Sequence, residues 1–285
     1  MRRGKRQAYS ITSSAMTSSY GRYPQVPCDT QVLIRALRGR AAGRARRLAF
    51  EFAIIRRQGY DPGWQPCRAS RMVGFVTSKV RPDLGGNMRH GDIHTFAPML
   101  WRFLVERFGI RSVLDVGCGE GHAVLFFERL GIKAHGIDGL RENVEQAVTP
   151  IAQHDLLVAP YIMPVDLVWS SEVAEHIAPE KVDNYIDTLA NGRFVAMTAA
   201  RAGQSGHHHV NCQPKEYWID LMAQRGYIVS PDNEIFAEVA ESDHTRNHFA
   251  HDGIVFVRAD DSRVRWALQF YRQRTERAAN AAGVR

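Results

Sequence analysis

Glu172, Glu175 and His176 form an E-x-x-E-H element, and His207, His208 and His209 form a run of imidazoles 31 residues further on. Carboxylates and neutral imidazoles bind divalent cations and move protons near neutral pH. If residues 172–176 are helical, positions i, i+3 and i+4 share one face and bring three ligands together. Glu172, Glu175, His176 and a later His209 are then candidate ligands for Mg²⁺, Mn²⁺ or a similar ion. His208, His209 and His176 are also candidate proton acceptors for a substrate hydroxyl, with His208 and His209 ahead of His207. A plainer assignment has Glu172 lining a pocket, Glu175 and His176 capping or packing a helix, and two of the three later histidines in solvent.

Such residues need a frame, and the segment upstream supplies its outline. Val113 to Val116 is an apolar, β-branched run with one acid, Asp115, and Gly117, Gly119 and Gly121 follow at every second position. Seventeen residues beyond Gly121, the run Ala134 to Ile137 ends in Asp138. His122 to Leu130 between them has helical apolar spacing. Strand, glycine-rich turn, helix, strand and terminal acid make half of a nucleotide-cofactor site, with Asp138 placed for a ribose diol. Dinucleotide sites use G-x-G-x-x-G and set a pyrophosphate on the helix N-terminus. Here Asp115 precedes the first glycine by two residues, which disfavours a pyrophosphate and suits a cofactor with an ammonium group. A tight structural turn is the alternative.

The pattern D-x-G-x-G-x-G, read with Asp138, resembles motif I of class I S-adenosylmethionine-dependent methyltransferases. That resemblance implies a doubly wound, mostly parallel seven-stranded α/β sheet of Rossmann-like form. It implies cofactor contacts from Asp115 at the methionine end, from Gly117, Cys118, Gly119 and Gly121 beneath, and from Asp138 on the ribose. Asp155 falls where the family often sets an acid against the adenine, and Ser171 and Glu172 end the fourth strand. The E-x-x-E-H element is similar to one in quinone-biosynthesis O-methyltransferases and in small-RNA 3′-end 2′-O-methyltransferases. In the RNA enzymes it holds a metal together with a later His. The triple His departs from that family's pattern. Gly206-His207-His208-His209-Val210-Asn211, followed by Gln213-Pro214-Lys215-Glu216-Tyr217-Trp218, resembles uncharacterised bacterial and phage methyltransferases.

The periodicity predicts a helix over Phe96–Phe108, strands at Asp166–Ser171 and Arg193–Thr198, and helices over Pro179–Leu189 and Pro214–Arg225. Tyr227–Val229 and Gly253–Val257 would be the sixth and seventh strands, the last antiparallel by the resemblance. His244, His248 and His251 fall in a polar loop before the seventh strand. Like His90 and His94 in the glycine-rich stretch, and like His154, they have a weaker claim to function.

Four scattered cysteines with no CxxC pair argue against a zinc cluster and suit a reducing, cytoplasmic setting. No run approaches the roughly 20 apolar residues of a membrane span. The net charge of +7 is uneven: residues 1–60 carry 13 Lys and Arg against Asp29 and Glu51, and the other 225 residues carry 24 basic and 28 acidic groups. The basic segment fits a nucleic-acid arm, an organelle transit peptide, or a solvated tail read from too early a start codon.

The expected organisation is a basic N-terminal extension over 1–60, partly disordered, and an irregular substrate-side linker over 61–93. The methyltransferase domain then spans 94–260 and a C-terminal helix 261–285. The expected activity is methylation of an oxygen on a small molecule or sugar. RNA ribose 2′-O-methylation with a metal, and a non-catalytic cofactor-binding scaffold, are the alternatives.

Overall fold

The computed structural model describes residues 74–243 and 246–261. The basic extension over 1–60, His244, and all of the expected C-terminal helix beyond Asp261 lie outside the described residues.

Seven strands form one mixed sheet: β3 (Ser112–Val116), β4 (Lys133–Asp138), β5 (Ala152–Gln153), β6 (Val165–Ser170), β7 (Gly192–Met197), β8 (Tyr227–Val229) and β9 (Ile254–Arg258). Their order across the sheet is β5-β4-β3-β6-β7-β9-β8. The first five run parallel, and β9 lies antiparallel between β7 and β8. The expected α/β sheet is therefore present, with the expected antiparallel last strand.

The central strands are apolar on both faces because helices cover both. Successive side chains point to opposite sides of a strand. Val113, Leu167, Phe194 and Val257 face one way, onto Trp101, Phe127 and Phe236. Leu114, Val168, Val195 and Phe256 face the other, onto Tyr185, Ile186 and Trp218. The first layer holds α1 (Pro98–Phe108), α2 (His122–Arg129) and α6 (Asn233–Asp243). The second holds α4 (Val182–Leu189) and α5 (Lys215–Gln224), while α3 (Arg141–Glu145) is a single turn after β4.

Two expectations are corrected here. The glycine-rich stretch before residue 93 is not simply irregular: β1 (Phe75–Val76) and β2 (Asn87–Met88) pair antiparallel around a 3-10 turn at Pro82–Leu84. The polar loop expected before the last strand instead contains the end of α6 and a short helix, α7 (His248–Asp252). Its alanines and acids left little apolar periodicity to detect.

Local chemistry sets the ends of α1. Proline at the first helical position lacks an N–H that would otherwise be unpaired, and Gly109 closes the helix with φ 63°, its N–H bonded to the Val105 carbonyl. The Asp243 carboxylate, at the end of α6, accepts from the Met99 and Leu100 amides at 2.8 and 3.2 Å. These are two of the four amides that a helix start leaves without partners. Asp243→Ala should cost about 1–2 kcal/mol in urea unfolding, and Asp243→Asn, which keeps an acceptor, less. Equal stability of all three proteins would remove this role.

Candidate active site

A cavity of about 290 Å³ opens at the carboxyl ends of β3, β4 and β6, where ligands bind in open α/β sheets. Its floor is the glycine turn. Gly117, Gly119 and Gly121 all take positive φ, at 70°, 55° and 79°. At Gly117 a Cβ would also fall 2.3 Å from Val173 Cγ2, so the turn packs directly on the segment after β6. The Gly117 and Cys118 amides donate to the Ile137 carbonyl at 2.9 and 3.0 Å, folding the turn onto β4.

Asp115 is buried and lines the cavity, and no described residue donates a hydrogen bond to its carboxylate. Burial, and then the charge of Asp138, push it up to about 8. Asp138 differs. It accepts from Gly119 N at 2.8 Å, Leu140 N at 2.8 Å and Asn143 Nδ2 at 3.0 Å, and sits at about 6 because burial outweighs these bonds. A carboxylate offers about four acceptor positions, so most of Asp138 is engaged in shaping the turn and about one position is left for a ribose.

Of the other expected cofactor residues, Cys118, Ser171 and Glu172 line the cavity. Gly121 does not: it starts α2, where a Cβ would meet Ile151 and Thr149. Asp155 is also outside the lining; its carboxylate is taken by Arg81 at 2.6 Å and by the Leu157 amide. His154, Leu156 and Leu157 line the cavity in its place.

The E-x-x-E-H element is not an α-helix. Glu172 takes φ 57°, a costly value for a residue with a side chain, and a 3-10 turn spans Ala174–His176. Thr198 holds the strained residue twice: its hydroxyl accepts from the Glu172 amide and donates to Glu172 Oε1, both at 2.8 Å. Glu172 is therefore outside the candidate metal group. Glu175, His176 and His209 do converge, each offering one ligand atom within 4.8 Å of the others.

Glu175 is fully buried, and neither carboxylate oxygen has a hydrogen-bond partner among the described residues. Burial, and then the charge of Glu172, lift it to about 8. Burial lowers His176 to about 4 and keeps its imidazole neutral. His176 Nδ1 lies 3.1 Å from the His208 carbonyl, and His209 Nδ1 lies 3.4 Å from the Gln204 carbonyl. A carbonyl only accepts, so each Nδ1 directs a proton toward it, and the neutral His176 keeps its lone pair on Nε2; His209 Nδ1 also lies 3.6 Å from Cys212 Sγ. The His209 ring lies against Gly206, where a Cβ would fall 2.1 Å from Nε2.

The histidine run is ordered differently from expectation. His207 and His209 line the cavity, His207 with its ring edge on Phe75 at 4.9 Å. His208 does not; its φ of 55° turns it away, and it serves through its carbonyl. Alternation along an irregular loop cannot be read from residue types.

Residues from Phe75 to Asp92, within the expected substrate-side linker, form one wall of the cavity together with Thr95 and Phe96. Asn87 Nδ2 donates to Asn143 Oδ1 at 3.3 Å, and the His90 amide to Glu120 Oε2 at 3.0 Å. Asn87, Glu120, Asn143 and Thr198 had no motif to mark them.

A family model described as a methyltransferase domain matches residues 88–279. Solved structures similar to this chain include a sugar N-methyltransferase, KedS8, from Streptoalloteichus sp ATCC 53650. It is 15% identical over 69% of this chain and 100% of its own, with a TM-score of 0.47. A SAM dependent methyltransferase from Archaeoglobus fulgidus is 15% identical over 58% of this chain and 94% of its own, TM-score 0.42. A TehB-like SAM-dependent methyltransferase from Corynebacterium glutamicum ATCC 13032 Kitasato is 16% identical over 59% and 89%, TM-score 0.42. No curated protein matches the chain. The family match spans well over half of the sequence, so the chain belongs to the methyltransferase-domain family and is an S-adenosylmethionine-dependent enzyme, not a scaffold. No described helix is long and apolar enough to cross a membrane.

The raised carboxyls give a stability signature. Asp115 and Glu175 bind protons more tightly folded than unfolded, up to about pH 8. Stability therefore falls as pH rises through that window. The depressed His176 acts in the other sense only below its ordinary value near 6.5. The ligand-free protein should lose Tm between about pH 6.5 and 8, and Asp115→Asn should raise Tm at pH 8 and flatten the slope. A Tm independent of pH over this range would show that these acids are not held as described.

Proposed function

We propose that the chain methylates a hydroxyl of a small molecule or sugar, with the acceptor entering between the glycine turn and the histidine loop. S-adenosylmethionine supplies the electrophilic methyl group. Asp115, buried without a partner, fits the cofactor's ammonium. Gly117, Cys118 and Gly119 lie beneath it, Asp138 offers its remaining acceptor position to the ribose, and Ser171 and Glu172 border the transferring end.

The observation that carries the chemistry is the pair of imidazoles, His176 and His209, each held with Nδ1 toward a backbone carbonyl, an arrangement that leaves Nε2 as the nitrogen able to accept a proton. With the cofactor bound, its sulfonium would give up the methyl to the acceptor oxygen, the S–C bond breaking as the C–O bond forms and S-adenosylhomocysteine leaving, and His209 would take the hydroxyl proton. The carbonyl of Gln204 holds the ring in the correct tautomer for this. The enzyme's main contribution is positioning, since the reaction needs two molecules held in line within a dry cavity.

One observation favours a second version of the same chemistry. Glu175 is a buried carboxyl without partners among the described residues, beside two imidazoles oriented by backbone carbonyls, and such a set fits a divalent ion such as Mg²⁺. The ion would supply Lewis-acid activation of the acceptor hydroxyl, with Glu175, His176 and His209 as its ligands.

Calorimetry should show S-adenosylmethionine binding to the purified protein, weakened at least several-fold by Asp115→Asn. In labelled-methyl assays across sugars and phenols, His209→Ala should lower kcat about 10²–10⁴-fold with cofactor affinity retained. Gly206→Ala should do the same without removing any functional group. If the ion is present, Mg²⁺ or Mn²⁺ will bind calorimetrically and Glu175→Gln will abolish that binding. Full turnover by His209→Ala would exclude it as proton acceptor.

A further inference from the structure

Seven carboxylates line the cavity, and among the described residues no Lys or Arg does. Four of the seven are accounted for. Asp115 and Asp138 serve the cofactor end, Asp83 is paired with Arg81, and Glu120 holds the His90 amide. Of the other three, Asp92 Oδ1 accepts the His94 amide and Glu172 Oε1 the Thr198 hydroxyl, both at 2.8 Å, which leaves one oxygen of each, together with Glu175.

Asp92 and Glu172 are joined through a single side chain. His248, at the start of α7, has Nε2 at 3.7 Å from Asp92 Oδ2 and Nδ1 at 3.9 Å from Glu172 Oε2. One imidazole carries at most one positive charge, so this carboxylate–imidazole–carboxylate bridge is anionic even when His248 is protonated. Behind it, Glu175 is wholly buried in the same wall with both oxygens lacking partners. A divalent ion on Glu175, His176 and His209 would satisfy Glu175 and still leave Asp92 and Glu172 in excess. Phe75, half exposed at 48%, adds an aromatic surface to the same cavity, and such a surface also favours a cation.

We propose that the acceptor is itself a cation, an amino sugar or hydroxylated amine, whose ammonium is held by Asp92 and Glu172 while its hydroxyl is methylated. This rests on the methyl-transfer function above. Acceptors recognised through a phosphate or carboxylate have no described cation to meet in this cavity, and they would face the acids directly. That weighs against an RNA ribose, which brings its own phosphates. The basic residues 1–60 lie outside the described residues.

Two matched acceptor series test the charge rule without knowledge of the natural substrate. One is glucosamine, glucose and glucose 6-phosphate; the other is tyramine, 4-hydroxyphenylethanol and 4-hydroxyphenylacetate. Each is titrated calorimetrically into the full chain with S-adenosylhomocysteine present, and each is offered as acceptor with labelled S-adenosylmethionine. In at least one series the amine should bind about ten-fold or more tighter than its neutral analogue, and the anion weakest. Asp92→Asn or Glu172→Gln should bring the amine-to-neutral ratio down by about ten-fold. His248→Gln, which removes the compensating charge, should keep or raise the ratio, an effect that a merely structural role would not give. Preference for the neutral or anionic members, or no binding of either amine, overturns the proposal. S-adenosylmethionine itself is titrated in parallel: if it fails to bind, the methyl-transfer function fails. If it binds and the amines do not, only the cationic acceptor is lost.

Discussion

Negative charge buried at one edge of the sheet is the constraint around which the molecule is arranged. Asp115 and Asp138 end two adjacent parallel strands, and Glu175 follows the next strand, β6. All three are buried, and each is pushed above the ordinary carboxylate range. Burying carboxyls in this way is tolerable when they are protonated, hydrogen-bonded or matched by a cation. Asp138 takes the second course, through three donors. Asp115 and Glu175 have no such donor among the described residues, and both line the cavity.

The remaining architecture keeps those acids in place. Ser170 Oγ donates to the Val116 carbonyl across the two central strands, and the Tyr185 hydroxyl donates to Ser170 from α4. Val173 fills the hollow over Gly117, so the turn beneath the cofactor and the segment bearing Glu172 cannot move apart independently. Thr198, at the end of β7, fixes the strained Glu172 backbone and its carboxylate together. Cofactor floor, strained acid and histidine loop form one connected body on three parallel strand ends.

The sheet and the cofactor turn were legible in the sequence because regular structure leaves periodic traces. β-branched runs gave the strands within a residue or two, and glycines at alternate positions followed by a distant acid gave the turn. The acceptor side was harder to read. The spacing of Glu172, Glu175 and His176 matches a helix face, yet Glu172 adopts a left-handed backbone that only tertiary bonds to Thr198 can sustain. Asp155 is where an adenine contact belongs by order along the chain, but Arg81, 74 residues away, takes its carboxylate. The histidine run showed that an imidazole was important without showing which, because orientation in an irregular loop follows from contacts such as Gly206 against His209. Asp92 and His248 meet only in the folded chain, and no local pattern announces them.

The Glu175 carbonyl accepts two amides, from Val210 at 2.9 Å and Asn211 at 3.0 Å. The backbone that carries the acid is therefore stitched to the backbone that carries the histidines, and His176 is stitched back through the His208 carbonyl. Residues 172–176 and 204–212 thus constitute a single transplantable cassette. A chimera that exchanged the histidine loop for a relative's loop while keeping the native turn would break both seams. One that exchanged the two segments together, and kept Thr198 and the fit of Val173 over Gly117, would carry the seams intact.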